Sequence, residues 1–360
     1  MFIARILTWI SYLSIFIAQT IAILLYFGGT MGKKVTMKDV AKLAGVSISS
    51  VSHVINKTRR VEEHTESAVL NAIGQLHFTP NILAQSLKGK RTRILGVIIA
   101  DIREDFFAEV VKSIELNAAE KEYSVMLCDS EENIGMEKFY IDILLSKGVD
   151  GIIFAPVDTD DPYVNRIAPE IPFVQIDRKM THYRSDFVGI DNADSAEVAT
   201  RFLFAEGCEN VGFIGYNNKV YTQKMRIEGY RTAVLAKGKK FDPSMVLKVE
   251  YHQESTIDII KGFLHGPSPV DGIVCGTSNI CWETVAAIDN LGLKIPENIK
   301  IVSYDDSKWF NFLKYPISVV LQPTEAIGRL AVDLVIDRTE NRGDDTKRQI
   351  ILDAELLIRR

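Results

Sequence analysis

Apolar residues recur every three or four positions in three short runs between residues 35 and 77, which predicts three small helices. Thr36 and Asp39 have the side chains and the spacing of a capping pair at the start of the first helix. Gly45 can end that helix, and Ser47 can cap the next one almost at once. Two short helices joined by a tight, glycine-containing turn, with a third helix packed against them, form a helix-turn-helix domain.

The second predicted helix has an apolar side and a polar side. Val51, Val54 and Ile55 share the side that faces a small core, so the remaining side chains point outward. In a helix-turn-helix domain the second helix enters the major groove of DNA and presents its outward side chains to the bases. The residues that we expect to contact DNA there, or beside it, are Thr36, Ser47, Ile48, Ser49, Ser50, His53, Asn56 and Lys57. His53 can bond to a guanine acceptor or a phosphate, and an ordinary surface position is its alternative.

Positive charge is concentrated around these helices. Residues 31–93 contain eleven Lys or Arg and four Asp or Glu, a balance of +7, whereas the whole chain carries −5 at neutral pH. A basic block on an otherwise acidic protein is typical of a contact with nucleic acid. The alternative is a solvated basic helical domain, which the helix-turn-helix pattern disfavours.

A different pattern begins at Ile94, where short apolar strands alternate with stretches of helical period. The predicted strands are Ile94–Asp101, Tyr123–Asp129, Val149–Pro156, Pro172–Asp177, Val211–Tyr216, Val270–Gly276 and Ile299–Tyr304. The predicted helices include Phe106–Lys121, Asp194–Glu206, Thr222–Lys237 and Ile280–Leu291. This alternation predicts an α/β architecture with parallel sheets, and residues 94–360 are too many for one sheet. We therefore expect two lobes, with a ligand site between them at the carboxyl ends of the strands.

Charged residues follow several of these strands. Asp101 ends the first strand, and Asp177 with Arg178 ends the fourth. Asp305 follows the last strand, and Arg226 lies in one of the predicted helices. Carboxylates and an arginine in a crevice, with aromatic faces nearby, suit a small polar ligand such as a sugar or a sugar acid. An aspartate at the end of a strand can equally serve as a helix cap.

Enzyme motifs are missing from the sequence. There is no glycine-rich dinucleotide or phosphate loop, no HExxH and no GxSxG turn. The four cysteines, at positions 128, 208, 275 and 281, form no CxxC pair, so we expect free thiols in a reducing compartment and no metal site. We expect neither an enzyme nor a bound cofactor.

Four segments carry a resemblance to a known family, and they are Val35–Ser47, Val51–Arg59, Pro80–Asn81 and Ala84–Lys88. The first resembles the start of LacI-family bacterial transcriptional regulators, and the others are closest to the purine repressor branch of that family. The resemblance runs from about residue 33 to the C-terminus. It implies a repressor whose affinity for operator DNA is controlled by a small-molecule effector. Either release or strengthening of DNA binding by the effector is compatible with it.

The resemblance also divides the chain into domains. It implies a helix-turn-helix headpiece at 31–77, a hinge helix at 78–93 and a two-lobed, periplasmic-binding-protein-like core at 94–360. Leu87 and Lys88 match hinge residues that open the minor groove. Such a device requires a homodimer on double-stranded, palindromic operator DNA, for which we expect a central CG step. The absence of C-terminal leucine heptads favours a dimer over a tetramer.

The core is expected to cross between its lobes three times. The crossings are expected near 191–194, near 321–323 and around 345–348. These crossings give a lobe 1 of about 94–191 and 322–345, and a lobe 2 of about 192–321 and 346–360.

By the same resemblance, Arg226 and Asp305 match ligand contacts of the family, and two phenylalanines match its cleft entrance. The expected effector contacts are Phe106, Phe107, Asp177, Arg178, Thr222, Arg226, Trp282 and Asp305. Val220 and Val274 stand where the purine branch has an arginine and a phenylalanine, which disfavours a purine and leaves a sugar or sugar acid. Trp282 can stack on the ligand or simply pack between helices.

The first 30 residues form an apolar segment with two interpretations. Ile6–Phe27 contains 22 residues without a charge, which is enough to span a bilayer. Because members of the family usually start just before the Val-Thr motif, our first hypothesis is a cytoplasmic protein that starts at Met31. The alternative is an inner membrane anchor at 6–27, with Lys33 and Lys34 on the cytoplasmic side. A membrane-anchored or exported small-molecule receptor is the competing function, which a basic helix-turn-helix disfavours.

Overall fold

The computed structural model describes residues 35–56, 59–78, 91–167, 171–181, 185–216, 220–251, 253–266, 269–342 and 346–359. These residues form two compact units, one that holds residues 35–78 and one that begins at residue 91. The apolar segment, Met31, Lys57 and the hinge residues Leu87 and Lys88 lie outside the described residues.

The described part of the smaller unit contains the helices α1 (Met37–Ala44), α2 (Ile48–Asn56) and α3 (Glu63–Leu76). The backbone N–H and the hydroxyl of Thr36 both donate to the Asp39 carboxylate, at 2.8 and 2.7 Å, which anchors the start of α1. Gly45 ends α1 with a left-handed backbone, at φ 66°. Each helix contributes a fully buried valine to one shared core, namely Val40, Val51 and Val69.

The larger unit contains two six-stranded sheets. The first sheet consists of β1 (Ile94–Ile99), β2 (Ser124–Asp129), β3 (Gly151–Phe154), β4 (Phe173–Ile176), β5 (Asp186–Ile190) and β11 (Gln349–Leu352). The second sheet consists of β6 (Val211–Tyr216), β7 (Val246–Val249), β8 (Gly272–Cys275), β9 (Lys300–Tyr304), β10 (Ser318–Leu321) and β12 (Glu355–Leu357). Their orders are β11-β5-β4-β3-β1-β2 and β12-β10-β9-β8-β6-β7. The paired strands are parallel except for β12, which runs antiparallel to β10.

Helices cover the faces of both sheets, so the strands between them are almost entirely apolar. Those beside the first sheet are α4 (Asp105–Glu120), α5 (Ile134–Lys147), α6 (Tyr163–Ile167) and α11 (Thr324–Thr339). Those beside the second sheet are α7 (Asn192–Ala205), α8 (Tyr221–Ala236), α9 (Thr256–Leu264) and α10 (Ser278–Asn290). The predicted α/β class, with a helical N-terminal unit and parallel sheets, is confirmed.

The chain passes between the two lobes at three places. It leaves the first sheet after Ile190 and returns after Leu321, where α11 packs against α4 of the first lobe. The third crossing was predicted around 345–348, and that position is wrong. Because Gln349–Leu352 still pairs with β5 in the first sheet, the crossing lies at residues 353–354.

Candidate functional site

The smaller unit presents a polar face around the start of α2. Ser47 lies just before the helix, and its Oγ accepts a hydrogen bond from the backbone N–H of Ser50 at 3.1 Å. Thr36, Ser47, Ile48 and Ser49 are exposed, whereas Ser50 and His53 are half-buried. Asn56 ends α2, and its side chain lies outside what the structure describes. The exposed hydroxyls can bond to phosphate or base edges, and the exposed Ile48 can contact a thymine methyl group.

The larger unit has a cleft between the carboxyl ends of its two sheets, with an empty volume of about 360 Å³ that includes its mouth. Side chains from the first lobe that line it are Glu104, Phe106, Phe107, Glu132, Asp177 and Arg178. From the second lobe and the crossing segment come Tyr216, Thr222, Gln223, Arg226, Thr277, Asp305 and Gln322. The cleft therefore brings together seven of the eight expected effector contacts, all except Trp282.

Arg226 is the most firmly held of these side chains. Its Nε donates to Oδ1 of Asn192 at 2.8 Å, and its Nη1 donates to the carbonyl of Gly276 at 2.6 Å. Its guanidinium carbon lies 3.7 Å from the centre of the Tyr304 ring, a cation–π contact. Since α7, the end of β8 and the end of β9 all position it, Arg226 is pre-organised before any ligand arrives.

Asp177 and Asp305 face the cleft from the ends of β4 and β9. Both have a left-handed backbone, with φ of 60° and 62°, which is uncommon for residues other than glycine. Gln322 donates its Nε2 to Oδ1 of Asp305 at 2.8 Å. Burial raises the pKa of Asp305 to about 6, although Arg226 opposes the shift. Burial also raises the pKa of Asp177, with Arg178 opposing.

Arg178 is already neutralised by protein groups. Its Nη1 and Nη2 donate to the two carboxylate oxygens of Glu132 at 2.9 and 2.5 Å, a bidentate pair. Its guanidinium carbon also lies 5.6 Å from the centre of the Phe107 ring. Arg178 therefore shapes the wall of the cleft and fixes Phe107, and less of its charge is left for a ligand.

Two polar contacts join the lobes at the rim of the cleft. Tyr251, which follows β7, donates its hydroxyl to the carboxylate of Asp101 at the end of β1. The Tyr251 ring packs edge-on against Tyr216, with 4.8 Å between the ring centres. Lys308 and Glu109 form an exposed ion pair at 3.3 Å on another part of the rim. These contacts hold the lobes near each other, which explains the small volume of the cleft.

The structure corrects two assignments in the second lobe. Trp282 does not line the cleft, because its ring lies outside it on α10, 6.4 Å from the ring of Phe310 and 36% exposed. Val274 was expected at a ligand-stacking position, but it lies in the buried core of the second lobe. The aromatic ring that lines the second lobe of the cleft belongs instead to Tyr216, so the argument against a purine from Val274 fails.

Sequence reasoning also missed several lining residues, which are Glu104, Glu132, Tyr216, Gln223, Thr277 and Gln322. Tyr216 ends a predicted strand and Thr277 follows another, so the rule that selected Asp177 and Asp305 could have found both. Glu104 and Glu132 lie in loops after β1 and β2, where no periodic pattern marks them. Gln322 lies in a crossing between lobes.

The described residues contain neither a candidate metal site nor a candidate membrane-spanning helix. Among the described residues, no three or more histidine, cysteine, aspartate or glutamate side chains are grouped as a metal ion would require. In the same part of the chain, no helix combines the length and the apolar character that a bilayer crossing requires.

Comparison with known proteins assigns both units. Residues 36–81 match the bacterial regulatory proteins of the lacI family, and residues 92–360 match the periplasmic binding proteins and sugar binding domain of the LacI family. The HTH-type transcriptional repressor PurR of Pasteurella multocida is 30% identical over 90% of this chain and 98% of its own length.

Solved structures show the same architecture. The complex of the transcriptional regulator CelR with cellobiose is 26% identical, with a TM-score of 0.69 over 90% of this chain and 99% of that one. The Lac repressor dimer bound to operator and the anti-inducer ONPF is 20% identical, with a TM-score of 0.80 over 91% of this chain and 98% of that one. The latter likeness is one of fold alone.

Proposed function

The chain belongs to the LacI family of bacterial transcriptional repressors, and we propose that a small, hydroxyl-rich effector bound in the cleft controls its affinity for operator DNA. Members of this family are DNA-binding regulators with an effector-binding core, not enzymes. The observation that carries the proposal is the convergence of Arg226, Asp177 and Asp305 with aromatic rings between two lobes. A change in lobe arrangement on binding would couple the cleft to the DNA-binding unit.

For the major-groove contacts we propose six residues in or just before α2, with Thr36 and Lys57 beside them. The six are Ser47, Ile48, Ser49, Ser50, His53 and Asn56. Leu87 and Lys88 are proposed to act in the minor groove, where an apolar wedge unstacks a base step and kinks the duplex. Because that device needs two symmetric copies, a homodimer on a palindromic operator with a central CG step follows. The Lac repressor structure, a dimer on its operator, supports this arrangement.

A sugar is the effector class that the cleft favours. Carboxyl and amide oxygens dominate its polar lining and accept hydrogen bonds from hydroxyl groups. CelR, a relative of known structure, was solved with the disaccharide cellobiose. A purine is the second candidate, because a relative at 30% identity is named PurR and because Phe107, Tyr216 and Tyr251 supply aromatic faces in or beside the cleft.

We place the protein in the cytoplasm, where its operator is. The family models match residues 36–81 and 92–360, so a protein that starts at Met31 would retain both matched regions. An inner membrane anchor at residues 6–27, with the DNA-binding unit on the cytoplasmic side, is the alternative.

The experiment is a titration of operator affinity. Full-length protein is bound to a fluorescent palindrome with a central CG step and, as a control, to a scrambled duplex, at 50 and 200 mM salt. We expect specific binding at least about 10³-fold tighter than binding to the scrambled duplex, and a steep loss of affinity with salt.

Neutral sugars, sugar acids and purine bases are then added to the operator complex. A sugar should change operator affinity about 5- to 150-fold, the usual range of coupling between two sites. Arg226→Ala should keep operator affinity and lose this response, whereas the exposed control Arg231→Ala should keep both. Equal affinity for the palindrome and the scrambled duplex would refute the proposed function.

A further inference from the structure

Glu104 is a buried carboxyl group in the cleft that the protein leaves unpaired. It lies between β1 and α4, lines the cleft and is only 8% exposed. Among the residues that the structure describes, no hydrogen-bond donor or cation lies within bonding distance of its carboxyl oxygens. Buried carboxyl groups are normally bonded, so a lone one that faces a ligand cleft indicates a partner supplied by the ligand.

The surroundings of Glu104 are acidic. The lining of the cleft carries four carboxyl groups and two guanidinium groups. The pKa of Glu104 is raised to about 8, mainly by burial and to a smaller extent by Asp305, Glu132 and Asp101, while Arg178 lowers it. Such a group is stabilised either by a proton or by a positive charge brought close to it.

Neither arginine of the cleft bonds to the Glu104 carboxyl group. Arg178 is bonded through both Nη atoms to Glu132, and Arg226 donates to the neutral side chain of Asn192 and to the carbonyl of Gly276. Because carboxyl groups outnumber guanidinium groups in the lining by four to two, a sugar acid near Glu104 would add a further carboxylate, at a cost in buried like charge.

The buried lining atoms that lack a hydrogen-bond partner are also mostly acceptors, in line with the excess of carboxyl groups. Oε1 of Gln223 and Oε1 of Gln322 are buried without a hydrogen-bond partner, so they add two acceptors to the Glu104 carboxyl. Among the buried atoms of the described lining that lack a hydrogen-bond partner, the donor is Nε of Arg178, and it forms an ion pair with the Asp177 carboxylate at 3.4 Å. These buried atoms therefore offer a ligand mainly acceptors.

We propose that Glu104 is a specificity-determining residue that binds a protonated amino group of the effector, so that the cleft selects amino sugars over neutral sugars and excludes sugar acids. The ammonium group takes the place of the proton on Glu104 and offsets the excess negative charge of the cleft. The inference rests on the proposed effector site, because it names the class of sugar that this site takes.

The test compares sugars that differ only in charge. Glucose, galactose and mannose are each compared with their 2-amino and uronic acid forms at pH 6.5, where the amine is protonated. Binding to the full-length protein is measured by the shift of its thermal midpoint, and separately by the change in operator affinity. We expect, in at least one series, an amino sugar that binds about tenfold or more tightly than its neutral parent, with the uronic acid weakest.

Variants separate the role of Glu104 from a general effect of charge. Glu104→Gln keeps the size of the side chain and should abolish the preference for the amino sugar over its neutral parent. Glu115→Gln makes the same charge change on an exposed part of α4, the helix that follows Glu104, and should leave the preference intact.

Three results would overturn the inference. They are a series in which the uronic acid binds tightest, a panel in which no amino sugar binds more tightly than its parent, and a Glu104→Gln protein that retains the preference. If a sugar acid releases the operator, the proposed function stands and only this inference falls. If the protein fails to bind operator DNA, the proposed function falls, and the thermal measurement still decides the role of Glu104.

Discussion

The side chains of the cleft combine several unfavourable local states. Asp177 and Asp305 have left-handed backbones, and Glu104 is a buried acid without a protein partner. Each state costs free energy that folding must supply from elsewhere, and such costs are concentrated at functional sites. Arg226, held by two hydrogen bonds and a ring, is the opposite case, a charged group that the protein positions fully.

The burial of Glu104 predicts a pH-dependent stability. Its ordinary pKa is near 4.5, and burial raises it to about 8 in the folded chain. The folded state therefore keeps a proton that the unfolded state releases, so the free energy of unfolding falls as pH rises from about 4.5 to 8. Glu104→Gln removes this loss and should stabilise the protein by a few kcal/mol at most at pH 8, since one unit of pKa is worth about 1.4 kcal/mol.

Urea denaturation at pH 5, 6.5 and 8 measures this effect. Near pH 5, just above the unfolded pKa of 4.5, little stability has yet been lost through this group, so wild type and Glu104→Gln should differ little. The exposed control Glu115→Gln should show a difference from wild type that does not grow with pH. If the free energy of unfolding of Glu104→Gln changes with pH in parallel with that of the wild type from pH 5 to 8, the burial of an unpaired acid is contradicted.

At the scale of elements, the contact between α7 and α8 positions the arginine of the cleft. α8 carries Thr222, Gln223 and Arg226, and α7 carries Asn192, which accepts from Arg226. The two helices approach closely at Gly229, where an added Cβ would lie 1.9 Å from the carbonyl oxygen of Ala193. Backbone on the opposite side cannot yield as a flexible side chain would, so this glycine sets the separation of the helices.

Gly229→Ala should therefore push α8 away from α7 and displace Arg226 with it. We expect a loss of about 1–3 kcal/mol of stability, as for other overpacked cores, and a weakened effector response. Gly262→Ala is the matched control, because that glycine lies in α9 with no atom within 4 Å of an added Cβ. It should raise the free energy of unfolding by about 0.5–1 kcal/mol. Equal denaturation midpoints for the two variants would show that the close contact of α7 and α8 at Gly229 has no special effect on stability.

At the scale of the whole molecule, an apolar surface lies beside the rim of the cleft. Trp309 and Phe312, in a short helical turn after β9, are 61% and 79% exposed. The neighbouring Lys308 forms the ion pair with Glu109 across the two lobes. Exposed aromatic side chains of this size are typical of a protein interface, which fits the proposed homodimer.

Phe312→Glu should weaken self-association by placing a charge in that interface. We expect the weight-average mass in sedimentation equilibrium to move from dimer toward monomer, together with a loss of operator affinity. Leu235→Glu is the control, because Leu235 is a 50% exposed apolar residue at the end of α8. A Phe312→Glu protein that remains dimeric would remove this surface from the proposed interface.

Features that depend on neighbouring residues could be predicted from the amino-acid sequence. The cap of α1 and the left-handed Gly45 were predictable because capping and turn geometry involve side chains within a few positions. The alternation of strands and helices predicted the α/β class for the same reason. It also predicted which strand ends line the cleft, as with Asp177 and Asp305, because parallel strands end at one edge.

The tertiary structure alone decided the features that depend on distant segments. β11 joins the first sheet only through its pairing with β5, some 160 residues earlier, which local periodicity cannot show, and so the third crossing was misplaced. Whether Trp282 or Tyr216 lines the cleft depends on how α10 and the end of β6 pack. The unpaired state of Glu104 likewise follows from burial among acids contributed by β1, β2, β4 and β9 ends, because electrostatic environment is a property of space rather than of sequence order.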